Sequence, residues 1–444
     1  MRFCPISSAI AALALVLSLG GSALANLNVP PPPQEKPILL RGADVYPVSS
    51  EPLPGGQILF EGGKISNVAA ADVAINLPAG TIVIEVAGKR LYPGLIHANS
   101  VLGLVEIRAV RATDDLREPG AINPNAKAIT AINPDSELLP VTRANGVLTA
   151  LSVPQTGSGG LAGQSAVINL DGWTPEQMAV RAPAAIHLDW PGRPRSMRFT
   201  EDPDDEAIAK AEKDHREKIE RLRRAFEEAR AYRKAKDAGE DGIGRDARWE
   251  GLLPALKQEI PVFIHANDAA QIREACAFAE AEQIRIGIVG GLDAWKVAPL
   301  LNERGIPVIV SPVNSLPMRR HEGFDTALRN PALLHEAGVA FCIADAGSSF
   351  AAPNARNLPY EAARAAAHGL PPEEALKAIT LYPAKILGVS HRLGSLEPGK
   401  DATFILTDGD PLEVRTHVER AFVLGREIDL SSRHTRLRDK YEGR

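Results

Sequence analysis

From Ile38 to Val86 short apolar runs alternate with glycine-rich punctuation. Ile38-Leu39-Leu40, Gln57-Ile58-Leu59-Phe60 and Ile82-Val83-Ile84 are each too short for a helix and follow no 3.6-residue period. The pattern predicts β-strands joined by turns. A similar texture returns near the other end, in Ala402–Leu406 and Ala421–Leu424. Neither stretch supplies enough strands to be stable alone. Together they predict one small β-sandwich assembled from residues 38–90 and 393–427.

Between these stretches the pattern alternates strand and helix. Val262-Phe263-Ile264, Arg285–Val289, Val308-Ile309-Val310 and Phe341-Cys342-Ile343 are continuously apolar, as strands buried on both faces are. Asp268–Glu282 carries Ile272, Cys276 and Ala279 on one helical face. A second helix runs from Leu292 to a C-cap at Gly305, with Pro299 sitting awkwardly inside it. Repeated βα units over residues 91–392 predict an α/β fold, a (β/α)8 TIM-like barrel, with an open doubly wound sheet as the alternative.

One stretch, at about residues 200–250, departs from the alternation. Asp202–Gly239 is dense in Glu, Lys, Arg and Ala, with Ile208, Ala211, Ile219, Leu222 and Phe226 at near-helical spacing. It reads as a long solvated helix inserted into a barrel loop. The heptad pattern of a coiled coil is not sustained beyond Phe226.

Composition adds an export signal and removes several partner classes. Arg2 precedes the apolar run Ile10–Leu19, and Ala23-Leu24-Ala25 gives the small-x-small pattern of a cleavage site. Residues 1–25 are therefore expected to be a signal peptide, and the protein periplasmic or secreted. The run is short for a bilayer span, so no membrane association is expected after cleavage. Pro30–Pro33 makes residues 26–37 a stiff linker. Cys276 and Cys342, the two cysteines beyond the signal, are too few for a disulfide framework and read as buried thiols. With 50 basic and 55 acidic residues and 5% aromatics, nothing suggests a nucleic-acid partner.

The strand Leu91-Tyr92-Pro93-Gly94-Leu95-Ile96-His97-Ala98-Asn99-Ser100-Val101 carries the first chemical signal. It resembles the strand by which members of the amidohydrolase superfamily, which includes imidazolonepropionase-like enzymes, enter their barrel. That strand reads P-G-hydrophobic-hydrophobic-D-x-H-x-H. Arg392–Ala402, with its Leu-Glu-Pro-Gly-Lys-Asp-Ala tail, resembles the same family's return into the β domain, and Glu373–Thr380 with Pro383-Ala384-Lys385 the helices before it. The resemblance spans about residues 38–427 apart from the charged insertion. It implies a divalent metal, zinc first, bound by the two first-strand histidines, a mid-barrel Lys or Glu, histidines on strands five and six, and an Asp on strand eight.

Matched position by position, Asn99 and Val101 stand where the first-strand histidines belong, and the strand-six segment Ile286–Gly291 has no histidine. His265, ending strand five, and Asp345, ending strand eight, occupy the remaining slots. The resemblance makes His265 a metal ligand and Asp345 a ligand and general base. His97 is a third ligand only if it swings up the barrel axis, because it lies about 6.6 Å deeper than Asn99. The other eight histidines show no ligand spacing and read as core or surface. Gln155–Ser165, although glycine-rich, lacks the Lys-Ser/Thr ending of a phosphate loop and reads as a flexible loop over the barrel mouth. No G-x-S-x-G elbow surrounds a serine.

Two functions stay open. One is an exported hydrolase of non-peptide C–N bonds in small amides, its metal held by His265 and Asp345. The other is a catalytically inactive relative that uses the barrel mouth to bind a small molecule or act as a scaffold.

Overall fold

The computed structural model describes residues 29–192, 204–239, 242 and 244–443. The expected signal peptide, the start of the linker and part of the charged insertion lie outside the described residues. No described helix is long and apolar enough to cross a membrane.

Strands β1 (Ile38–Val45), β2 (Leu53–Glu61), β3 (Lys64–Ala69), β4 (Ile82–Glu85) and β5 (Arg90–Pro93) share one eight-stranded sheet with three strands from the other chain end. Those are β16 (Phe404–Thr407), β17 (Val418–Val423) and β18 (Arg426–Glu427). The ends meet where β5 pairs antiparallel with β16, Tyr92 opposite Ile405. The sheet forks rather than forming two separate layers. The first half of β1 pairs with β4 and the second half with β5, on either side of Gly42 at φ +92°. Phe60 on β2 touches Phe404 and Phe422 edge-on, although two strands separate β2 from β16 in the ladder. The sheet is therefore rolled around these rings, which gives a sandwich-like core from a single sheet.

The remaining strands form a TIM-barrel-like wall. A four-stranded sheet contains β6 (Leu95–Ser100), β7 (Val147–Ser152), β9 (Ala166–Asn169) and β10 (Ala179–Arg181). A six-stranded sheet contains β8 (Gly160–Gln164), β11 (Ile186–Asp189), β12 (Val262–Ala266), β13 (Ile286–Gly290), β14 (Val308–Val310) and β15 (Phe341–Ile343). β8 runs into β9 through Ser165, so the wall continues from one sheet to the other. At the far seam β15 packs against β6 without a strand ladder. Ile96, Ala98, Leu151, Phe263, Val289, Ile309, Cys342 and Ala344 fill the interior.

Three expectations are corrected. The wall is not wholly parallel, because β8 and β9 run antiparallel to β11 and β7. Only residues 153–165 join β7 to β9, without helical pattern, whereas a parallel return needs a crossover, usually a helix. The glycine-rich segment expected to lie loose over the mouth is therefore partly a strand of the wall. Gly163 makes this close packing work, since at φ +123° a Cβ would come within 2.5 Å of the Ala126 carbonyl oxygen. The predicted helix 292–305 is two pieces, a 3-10 turn Ala294–Val297 and a helix Ala298–Glu303. Pro299 falls in the first turn of the second, where its missing N–H does no harm. Helix Ala269–Glu282 does begin at a capping box made by Asp268 and Gln271.

The insertion is docked rather than solvated throughout. Helix Asp205–Asp237 buries Leu222, Ala225, Phe226, Ala229 and His215. Phe226 packs edge-on against Phe278 of the helix after β12, and His215 Nε2 lies 3.1 Å from Glu274 Oε2.

Barrel and forked sheet are tied by a buried charge triad. Arg143 Nη1 and Arg426 Nη2 hold the two oxygens of Asp171 at 3.1 and 2.9 Å. Asp171→Ala leaves two guanidinium groups without their shared carboxylate, and is expected to cost about 3–5 kcal/mol in urea denaturation. A loss under about 1 kcal/mol would show that backbone carbonyls alone satisfy Arg143.

Candidate functional site

Strand alternation places residues 187 and 189 of β11 on one face of that strand, and β12 ends beside them with His265 opposite Asp189. At these C-terminal strand ends a cavity of about 220 Å³ opens, lined by Asn99, Gln155, His187, Asp189, His265 and Gly347 among others. The C-terminal end of the strands is where barrel enzymes place their chemistry.

His187 and His265 form a pair. His187 Nδ1 lies 3.0 Å from His265 Nε2, so one of these nitrogens donates to the other. Burial holds His187 well below its ordinary value, with His265 adding to the effect. Burial alone pushes His265 down to about 4. It lines the cavity and is the less buried ring of the two. Both rings are therefore neutral at physiological pH. His187 Nε2 is buried with no partner among the described residues. If His265 donates to His187, that nitrogen carries a hydrogen aimed at no protein acceptor.

Asp189 is the third member. Burial raises its carboxyl to about 6, and Lys218 and Arg117 pull in the opposite direction. Lys218 belongs to the inserted helix and packs against Gly159, so the insertion reaches the rim of this site. A carboxylate half-protonated near pH 6 can accept a proton from water and return it within one cycle.

His97 and Asp345 fall elsewhere. His97 is fully buried, with Nε2 3.3 Å from Asp345 Oδ1. Asp345 accepts from the Gly347 backbone N–H at 2.9 Å, which holds the turn at the cavity wall. Behind this pair, burial raises the Glu361 carboxyl, Asp345 raises it further and His97 offsets part of the rise. The pair is linked to the cavity through Asn99, whose Nδ2 donates to Ser311 Oγ at 2.9 Å. Ser311 Oγ donates in turn to the Asp345 carbonyl. Gly347, at φ +57°, leaves room for Asn99, since a Cβ there would sit 2.3 Å from the amide nitrogen. His265 and Asp345 thus belong to two separate pairs, and only His265 lines the cavity. Val101 is packed into the core.

Sequence reasoning missed His187 and Asp189. The signal was present in Ile186-His187-Leu188-Asp189, a short strand with titratable residues two apart, ending just before the insertion.

A family model described as the amidohydrolase family matches residues 216–428. Over 426 residues the chain is 26% identical to amidohydrolase tasK of Hapsidospora irregularis, covering 85% of this chain and 42% of that protein. It is 45% identical over 62 residues to N-acetylglucosamine-6-phosphate deacetylase of Danio rerio, 14% of each chain. The chain thus spans less than half the length of these curated relatives. Among solved structures, an amidohydrolase from Thermotoga maritima superposes with a TM-score of 0.75 at 27% identity, over 88% of this chain and 99% of that one. A prolidase complexed with N-methylphosphonate-L-proline, at 16% identity and a TM-score of 0.53 over 89% of this chain and 100% of that one, shares the fold.

Proposed function

Because this chain belongs to the amidohydrolase superfamily, we propose that it is an exported hydrolase of non-peptide C–N bonds in small amides, working from the cavity lined by His187, Asp189 and His265. Members of this family are typically metal-dependent. A catalytic zinc requires about three protein ligands and an open position. Among the described residues, no group of three or more His, Cys, Asp or Glu is placed to hold one ion. The two histidines of the cavity offer two nitrogens, and Asp345 is turned toward His97. This donor set does not fit the family's metal, so the reaction is derived from side chains alone.

The observation that carries this reading is the convergence on one cavity of two neutral imidazoles and a carboxyl raised to about 6. Asp189 takes a proton from water as its oxygen bonds to the amide carbon. In the tautomer where His187 Nδ1–H donates to His265 Nε2, His265, the less buried ring of the pair, keeps its hydrogen on Nδ1 and is the donor available to the developing oxyanion. Collapse breaks the C–N bond, and the proton on Asp189 passes to the leaving nitrogen. Arg117 and Lys218 at the rim favour a substrate with an anionic group beside the amide.

The test is hydrolysis of a panel of N-acyl amino acids and cyclic amides by protein treated with chelator. Turnover that survives chelation and is abolished in His187→Ala supports the reading. Turnover that appears only on adding zinc or manganese overturns the side-chain route. A second reading, a binding protein without turnover, is favoured by Asn99 and Val101 at the positions where the family carries histidines. Saturable ligand binding with no hydrolysis across the panel would decide for it.

A further inference from the structure

A second cavity lies at the opposite end of the wall, where β12, β13 and β14 begin. It measures about 720 Å³, within the range of small-molecule sites. Phe263, Ile284, Ile286 and Ile306 give it an apolar lining. His265 is two residues further along the same strand, so the two cavities sit at different depths of the barrel, one at each mouth.

Four cations from four separate elements converge on this cavity. They are Arg181 at the end of β10, Arg285 just before β13, Arg304 after helix Ala298–Glu303 and Lys385 in helix Leu381–Ile386. The one carboxylate in the lining, Glu280, is held by Arg304 at 2.9 Å. The lining therefore carries a net charge of about +3 in a chain whose overall charge is -5.

Arg181 is the group built in. It is half-buried, and its Nη1 donates to the Leu387 carbonyl at 2.9 Å. The guanidinium lies directly over Gly388, where a Cβ would approach Nη1 to 1.9 Å, so a glycine is required beneath it. Among the described residues neither Arg181 nor Arg285 has a carboxylate partner. Burial and the like charge of Arg285 both lower the Arg181 guanidinium from its ordinary value. Arg181 and Arg285 line the same cavity with no carboxylate of their own, so a bound oxyanion there gains from both and offsets their like charge.

We propose that this lower cavity is a binding site for a small phosphorylated molecule, its phosphate taken by Arg181 and Arg285 and its organic part lying against Ile284, Ile286 and Ile306. Guanidinium pairs match phosphate geometry, and the apolar lining accounts for cavity volume beyond what a bare ion fills. The site stands independently of the reaction proposed for the upper cavity.

The test is calorimetric titration with inorganic phosphate and with phenyl phosphate, at ionic strength held constant with sodium chloride. Saturable one-site binding is expected, tighter for phenyl phosphate than for inorganic phosphate. Arg285→Gln, an exposed position that leaves the fold undisturbed, should weaken it at least about tenfold, as should Arg181→Gln. His265→Ala should leave the affinity unchanged. A heat signal that does not saturate, or affinity unaltered in Arg285→Gln, overturns the proposal. Affinity lost in His265→Ala but kept in Arg285→Gln would place the phosphate in the upper cavity instead.

Discussion

Asp189→Asn is expected to lower turnover by about 10²–10⁴-fold, the range lost when a positioned general base is removed. The amide keeps the shape of the carboxylate but cannot accept the proton of the attacking water. The acid limb of the wild-type pH–rate profile should have its midpoint near pH 6, where Asp189 becomes charged, and the residual activity of the variant should lack that limb. Measuring kcat/KM from pH 4.5 to 8 checks both statements. A variant with wild-type turnover, or one that keeps an unshifted limb at pH 6, would remove Asp189 from the reaction. Folding should not suffer. Above pH 6 wild-type Asp189 holds a charge in a largely buried position, and the neutral amide relieves that cost.

The second large effect is on the pH dependence of stability, where Asp189 and His265 act in opposite directions. The folded-state value of Asp189 is raised from 3.8 to about 6. The native protein therefore binds the proton more tightly, and stability falls as pH rises from about 4 to about 6. His265 is lowered from 6.5 to about 4, so the unfolded chain binds the proton more tightly and stability falls as pH drops from about 6.5 to about 4. Each arm is worth roughly 3 kcal/mol, and over the shared window they largely cancel. Relative to wild type, Asp189→Asn should gain up to about 3 kcal/mol as pH rises from 4 to 6, and His265→Gln should lose a comparable amount. His187, depressed in the same direction as His265, retains its own arm in both variants. Urea denaturation at half-unit pH intervals separates the arms. Parallel curves for all three proteins would mean that neither group titrates abnormally in the folded state.

The sequence revealed the fold more readily than the chemistry, for physical reasons. Apolar runs such as Val262-Phe263-Ile264 and Val308-Ile309-Val310 announce buried strands because both faces must avoid water, and the structure places them in the wall. The antiparallel turn of Gly160–Asn169 was hidden. Strand direction depends on what the connection has room to do, and glycine-rich text looks like a loop whether or not its backbone is paired. At the site, His265 was found because it ends a strand that the family also uses. His187 shows no ligand spacing in the sequence, because its partner lies 78 residues away and meets it only where β11 and β12 align. Asp345 was paired with His265 on position alone. Asp345 meets His97 instead, on the side where the end of β15 packs against β6.

The forked sheet has a consequence for the order in which the molecule is made. Strands β1 to β5 leave the ribosome first, yet β5 finds its neighbour β16 only after more than 300 further residues have been synthesised, and Lys64 waits as long for Asp401. Until then β5 offers an open hydrogen-bonding edge, and Phe60 lacks the two rings that enclose it. The small sheet is therefore the last part to be completed, and the intervening barrel must form while the earliest segment is still unfinished. If the chain is exported before it folds, as proposed above, such late closure keeps the leading end threadable.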